Sequence, residues 1–234
     1  MTTDTLKIIN SRERDFGDGF TVRRLLPAIG RKMVGPFIFF DHMGPTTFAP
    51  GHGLDVRPHP HIGLATVTFM FEGAIMHRDS LGYEQAIRAG DVNLMTAGSG
   101  IVHSERSPQE ERTHGCKLEG IQCWIALPLK DEETKPKFEH YPSSKLPEFK
   151  IENVQVKLMM GAAFGYESPV TTFSDTLYLD IQMPVGSSLT VSAGERELAV
   201  YLAKGQASVN GQALDVKALA AGSKGQEEGV SHRL

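Results

Sequence analysis

Glycine and proline interrupt this chain so often that long helices have no room to form. Its 234 residues include 24 glycines and 13 prolines, which leave segments of about four to eight residues, many rich in Val, Ile, Thr, Phe and Tyr, as β-strands are. The densest stretch runs from Leu64 to Phe71, turns at Glu72-Gly73, continues from Ala74 to Asp79 and turns again at Leu81-Gly82, the pattern of a hairpin. Glu84 to Arg88, Asp91 to Met95 and Ile101 to Glu105 extend the meander through turns at Ala89-Gly90 and Gly98-Ser99-Gly100. Gly120 to Leu127 reads as another strand, with Ile121, Cys123 and Ile125 on one face and Gln122, Trp124 and Ala126 on the other. After a charged, proline-broken connection from Lys130 the style returns in Val154 to Met160, Leu177 to Met183, Leu189 to Val191, Glu197 to Ala203 and Gln206 to Val209. Helical periodicity is weak, apart from a short turn near Ser143-Ser144-Lys145. Turns at this spacing predict an all-β chain of two tandem barrels or sandwiches.

Several function classes drop out on composition. Twenty-four basic residues against 28 acidic ones leave a formal charge of −4, without the cationic footprint of a protein that grips phosphate backbone, so no direct nucleic-acid contact is expected. The longest apolar runs fall short of the roughly 20 residues a bilayer span requires, so no membrane insertion is expected. The opening Met1-Thr2-Thr3-Asp4-Thr5-Leu6-Lys7 places an acid where a signal peptide carries bases, which points to an uncleaved, cytoplasmic protein. Cys116 and Cys123 are too few for a disulfide framework and read as reduced thiols. A monomer is the simplest assembly of two tandem barrels.

Three of the nine histidines fall in a pattern with chemical meaning. His59-Pro60-His61 precedes one strand, and His103-Ser104-Glu105 ends another. In extended backbone, residues i and i+2 point to the same face about 7 Å apart, so each pair can aim two side chains at one point. Two such pairs on facing strands supply three imidazoles and a carboxylate. That set suits one divalent first-row ion, Fe(II), Mn, Co, Ni, Cu or Zn, with open positions for other ligands, and the lack of thiolate disfavours a closed structural zinc site.

The runs Gly35-Pro36-Phe37-Ile38-Phe39-Phe40-Asp41-His42, Arg57-Pro58-His59-Pro60-His61-Ile62-Gly63, His77-Arg78-Asp79-Ser80 and Thr96-Ala97-Gly98-Ser99-Gly100-Ile101-Val102-His103-Ser104-Glu105 resemble the pirin family of bicupins, over roughly residues 10 to 205. The resemblance implies two tandem cupin (double-stranded β-helix, or jelly-roll) barrels. It also implies one metal, usually iron and so expected as Fe(II), in the first barrel, held by His59, His61, His103 and Glu105. It further implies either a quercetin 2,3-dioxygenase type of ring cleavage, acting on a flavonol or enol substrate with dioxygen, or an iron-dependent, redox-sensitive regulatory protein that works by binding a protein partner. A non-oxidative cupin isomerase is a third, weaker alternative.

The corresponding boundaries are a metal-binding cupin at residues 1–130, a linker at 131–150, a second cupin without metal ligands at 151–217, and a disordered tail at 218–234, which leaves the second barrel incomplete. Val191 and Ala193 stand where the second barrel would carry its first two ligands. Ala65 stands where the family often has a carboxylate and, by strand parity, faces the same side as His61. Glu105 is the candidate catalytic base, as the one acid–base group the motif provides. His77 and Asp79 are candidates to support the ligands from behind, although His77 could equally be a β-surface residue. Asp41-His42 reads as a turn, Arg23-Arg24 as a solvated face, and His52, His114, His140 and His232 as surface residues.

Overall fold

The computed structural model describes residues 6–15, 20–223 and 228–232. Its chain divides into two compact units: Glu13–Pro27 with Pro36–Lys145, and Met1–Arg12 with Ala28–Gly35 and Leu146–Leu234.

The unit that contains the histidine motifs is built from two antiparallel sheets. One has four strands in the order Asp55–His61, Ile101–Arg106, Ala74–Asp79, Glu84–Arg88. The other has seven, in the order Lys137–Tyr141, Val92–Thr96, Leu64–Glu72, Cys116–Ala126, Phe37–Phe48, Thr21–Leu26, Arg12–Asp15. Side chains from both sheets meet in a buried cluster that includes Val22, Met43, Met70 and Leu118 from one and Ile75 and Ile87 from the other. Burial of such apolar faces is the main favourable term holding a two-layer β structure together. No helix among the described residues is long and apolar enough to cross a membrane.

The expected hairpin at Glu72-Gly73 is instead a crossing between sheets. Leu64–Glu72 pairs with Val92–Thr96 and Cys116–Ala126, whereas Ala74–Asp79 pairs with Glu84–Arg88 and Ile101–Arg106. Gly73 makes the crossing at φ +81°, and a Cβ there would lie 2.1 Å from the carbonyl oxygen of Lys117. Both the left-handed backbone and the backbone clash exclude a side chain. Gly73→Ala is therefore expected to lower the unfolding free energy by at least about 2 kcal/mol, seen as a reduced urea midpoint; an unchanged midpoint would contradict this geometry.

The expected domain boundaries shift at three places. Lys137–Tyr141, placed in the linker on account of its charge, pairs with Val92–Thr96 as an edge strand and buries Phe138 against Met95, Ala97 and Ile101. Lys7–Asn10, assigned to the first cupin by position, pairs with Ala218–Ala221 in the second unit. Ala218–Ala221 itself falls in the expected tail, yet forms a strand whose four residues are all buried. Its run of small residues shows no alternation because both of its faces are covered. Glu228–His232 pairs with Ser188–Val191 and Ala207–Val209. Residues 224–227, 233 and 234 of that tail, and residues 1–5 of the N-terminus, lie outside the described residues.

The second unit has a buried apolar cluster of its own, formed by Phe149, Val154, Val156, Leu158, Leu189 and Val191. Val191 and Ala193 are both buried in this unit. The one helix of the chain's described part that the sequence reading missed is Gln109–His114. Its signals were present: Pro108 before it, Glu110 and Glu111 in its first turn, and Gly115 after it.

Candidate metal centre

Register brings the two histidine pairs together. His103 lies directly opposite His59 on the neighbouring strand, and Ile101 lies opposite His61, so three imidazoles share the inner face of the four-stranded sheet. Ring centroids are 4.5 Å apart for His59 and His103, and 5.0 Å for each of them with His61. One nitrogen from each ring lies within 4.8 Å of the other two, close enough for one cation to reach all three after small ring rotations. Among the described residues, this is the group of His, Cys, Asp and Glu side chains whose geometry could hold an ion.

The protonation chemistry fits a cation. Burial, with the charge of His59 adding to it, pushes the pKa of His61 down to about 4. Burial, followed by the charges of His59, His77 and His61, pushes that of His103 down to about 2. Both rings are therefore neutral at physiological pH and present lone pairs, the form that ligates metals. His59 Nδ1 donates to the carbonyl of Arg57 at 2.8 Å, which leaves its Nε2 as the lone-pair atom. His103 Nε2 is buried with no hydrogen-bond partner among the described residues. A buried nitrogen left unpaired costs about 1–3 kcal/mol, and a ligated ion would remove that cost.

Glu105 is not one of the side chains whose ligand atoms all lie within 4.8 Å of one another. The ladder between Ile101–Arg106 and Asp55–His61 slips after His103, so that Glu105 faces Val56. The slip is confined to that ladder: against Ala74–Asp79 the register runs unbroken from His103 opposite Asp79 to Glu105 opposite His77, so Glu105 keeps the side of the strand that His103 takes. Glu105 is buried, and Gln122 Nε2 donates to its Oε1 at 2.7 Å. Burial raises its pKa above the ordinary carboxylate value, against the opposing hydrogen bond from Gln122.

The facing sheet supplies the other wall. Cross-strand register aligns His140, Asn93, Thr68, Gln122, Asp41 and Arg24 in one polar row over six adjacent strands. The next row carries Phe138, Met95, Thr66, Trp124 and Phe39. Trp124 stacks on Phe39 with centroids 4.0 Å apart and touches His61 edge-on at 5.0 Å. Arg24 grips Asp41 through two hydrogen bonds of 2.9 and 2.8 Å while its guanidinium lies 4.4 Å over the Phe39 ring.

Several sequence readings change accordingly. Arg24 is a partly buried fork on a carboxylate; Asp41 and His42 belong to the strand Phe37–Phe48, with His42 buried against Glu119 at 3.0 Å. His140 is bonded to Asn93. Ala65 is not on the face of His61: Gly63, at φ +68°, separates the two strands, and Ala65 lies opposite Ile125, on the side of the sheet away from Trp124. Gln122 and Trp124 were legible as sharing one face, but nothing in the sequence marked that face as the inner one.

His77 is buried, so it is no surface residue. Its Nε2 lies 2.9 Å from Asp79 Oδ2, its Nδ1 lies 3.3 Å from His103 Nδ1, and its ring stacks on Phe138 at 4.2 Å.

The pirin family profile matches residues 19–125. The chain is 44% identical over 210 residues to a pirin-like protein of Caulobacter vibrioides, which covers 88% of this chain and 72% of that one. It is 35% identical over 206 residues to Pirin-1 of Arabidopsis thaliana, covering 88% of this chain and 68% of that one. Among solved structures, a crystal structure of quercetin 2,3-dioxygenase from Acinetobacter baumannii superposes with a TM-score of 0.90 at 36% identity, over 98% of this chain and 75% of that one. The two β units of this chain are thus of the cupin type.

Proposed function

The chain belongs to the pirin family, and on that footing we propose that it is a metal-dependent dioxygenase of the quercetin 2,3-dioxygenase type, acting on a flavonol or a related enol. The observation that carries this reading is the grouping of three imidazoles whose ligand atoms lie within 4.8 Å of one another, together with a buried His103 nitrogen that has no partner among the described residues. Likeness to the Acinetobacter baumannii enzyme supports the substrate class.

In this reading His59, His61 and His103 hold one divalent first-row ion, Fe(II) being the expected one, and Glu105 is the carboxylate beside them. Such an ion supplies positive charge that stabilises the oxyanion of a deprotonated substrate hydroxyl. Glu105 takes the hydroxyl proton. With Oε1 accepting from Gln122, Oε2 is the oxygen left for that transfer, and a carboxylate whose pKa is raised by burial is a better base than a solvated one. The stacked faces of Trp124 and Phe39 give a flat substrate a wall beside His61. Trp124 Nε1, buried with no partner among the described residues, is a donor for a substrate oxygen. Dioxygen and the flavonol then yield the ring-opened ester and carbon monoxide.

Protein loaded with Fe(II) under anaerobic conditions is expected to consume dioxygen when given quercetin and to release carbon monoxide. Full metal loading with no dioxygen consumed and no carbon monoxide released would overturn the proposal.

A further inference from the structure

A buried carboxylate stands behind the histidine group, and its influence reaches His103 through one intervening ring. We propose that Asp79 and His77 are positioning residues that fix the tautomer of His103, keeping its proton on Nδ1 and its lone pair on Nε2, the nitrogen that would bind an ion. Asp79 Oδ1 accepts from two backbone amides and Oδ2 is turned to His77, an accepting role for the carboxylate in which His77 Nε2, 2.9 Å from Oδ2, carries the hydrogen. With that hydrogen on Nε2, we assign the lone pair of His77 to Nδ1, which faces His103 Nδ1 at 3.3 Å. Two nitrogens in contact need one proton between them, and it sits on His103. The lone pair of His103 is thereby placed on Nε2, the nitrogen with no partner among the described residues.

Each member of the relay is held in place. Asp79 Oδ1 accepts from the backbone amides of Leu81 at 2.9 Å and Tyr83 at 3.2 Å, and the Asp79 side chain is wholly buried. The stack of His77 on Phe138, with planes 15° apart, resists ring rotation. This is the arrangement by which a carboxylate orients a metal-bound imidazole, extended by one histidine. His59 is oriented instead by a neutral backbone carbonyl, so His103 is the ring in the group whose tautomer depends on an acidic side chain.

Asp79→Asn tests the relay with almost no change of shape. The amide oxygen stays with the two turn amides, so the NH2 group faces His77 Nε2, which must now accept. The proton moves to His77 Nδ1, is donated to His103 Nδ1, and leaves His103 with its hydrogen on Nε2. Nitrogen-15 NMR of the metal-free protein is expected to show His103 protonated at Nδ1 in the wild type and at Nε2 in Asp79→Asn. Affinity for Ni(II), read by competition with a chromogenic chelator, is expected to fall about 10–100-fold. His77→Phe keeps the stack but cannot accept, and should lose as much. His77→Gln can donate to Asp79 and accept from His103, and should bind within a few-fold of the wild type.

Wild-type His103 protonated at Nε2 in the metal-free protein would overturn the proposal. So would an unchanged tautomer in Asp79→Asn, or wild-type affinity in both Asp79→Asn and His77→Phe. The affinity arm rests on the metal-site reading above, whereas the tautomer arm does not. Tautomers that invert as stated in a wild type that binds no Ni(II) would support the relay and overturn the metal site.

Discussion

Addition of Ni(II) at a hundredfold excess over its dissociation constant is expected to raise the melting temperature of the wild-type chain by about 5–10 °C, and that of His103→Ala not at all. Ligand that binds only the folded state stabilises it by about 2.7 kcal/mol at that excess, and a chain of this size gains about 2–4 °C per kcal/mol. His103 is the ring to choose because it lies opposite His59, 4.5 Å from it centroid to centroid, and carries a buried nitrogen with no partner among the described residues. Its loss leaves two imidazoles, one of them partly exposed, and should weaken binding by more than the tenfold to hundredfold expected when an outer partner such as Asp79 is altered. An equal melting shift in wild type and His103→Ala would place the ion elsewhere.

Glu105→Gln is expected to lower kcat with quercetin by about 10²–10⁴-fold while changing KM far less, because general-base assistance is worth that much in the transition state. The loss corresponds to roughly 3–5 kcal/mol of barrier. The variant keeps the size of the side chain and an oxygen able to accept from Gln122 at the position Oε1 now holds, so folding should be little disturbed. Ni(II) binding is expected to survive, since the three imidazoles form a group without Glu105. Loss of metal with loss of turnover would make Glu105 a ligand first and a base second. A kcat unchanged from the wild type would remove it from the chemistry altogether.

Local signals in the sequence carried far, and long-range ones did not. The pairs His59/His61 and His103/Glu105 were legible because spacing by two fixes a common side in extended chain. The slip in register after His103 was not. A bulge depends on how the partner strand is held; this one sets Val56 opposite Glu105 in the ladder with Asp55–His61 and leaves the ladder with Ala74–Asp79 in step. The parity argument for Ala65 failed because alternation holds within a strand, and Gly63 ends one strand before another begins in a different sheet. Charge misled at Lys137–Tyr141, where Lys137 and Glu139 pair with each other while Phe138 carries the burial. Arg24 looked solvated for the same reason, because its partner Asp41 lies on another strand. The pairing of Lys7–Asn10 with Ala218–Ala221 joins segments far apart in the chain, and no pattern within either segment announces the other.

Fe(II) titrated anaerobically into the chain and followed by X-ray absorption at the iron edge addresses the central claim most directly. The account predicts one iron per chain with three imidazole nitrogens at about 2.0–2.2 Å, and fewer in His103→Ala. Iron bound without imidazole scattering, or imidazole scattering unchanged when His59, His61 and His103 are replaced one at a time, would contradict it.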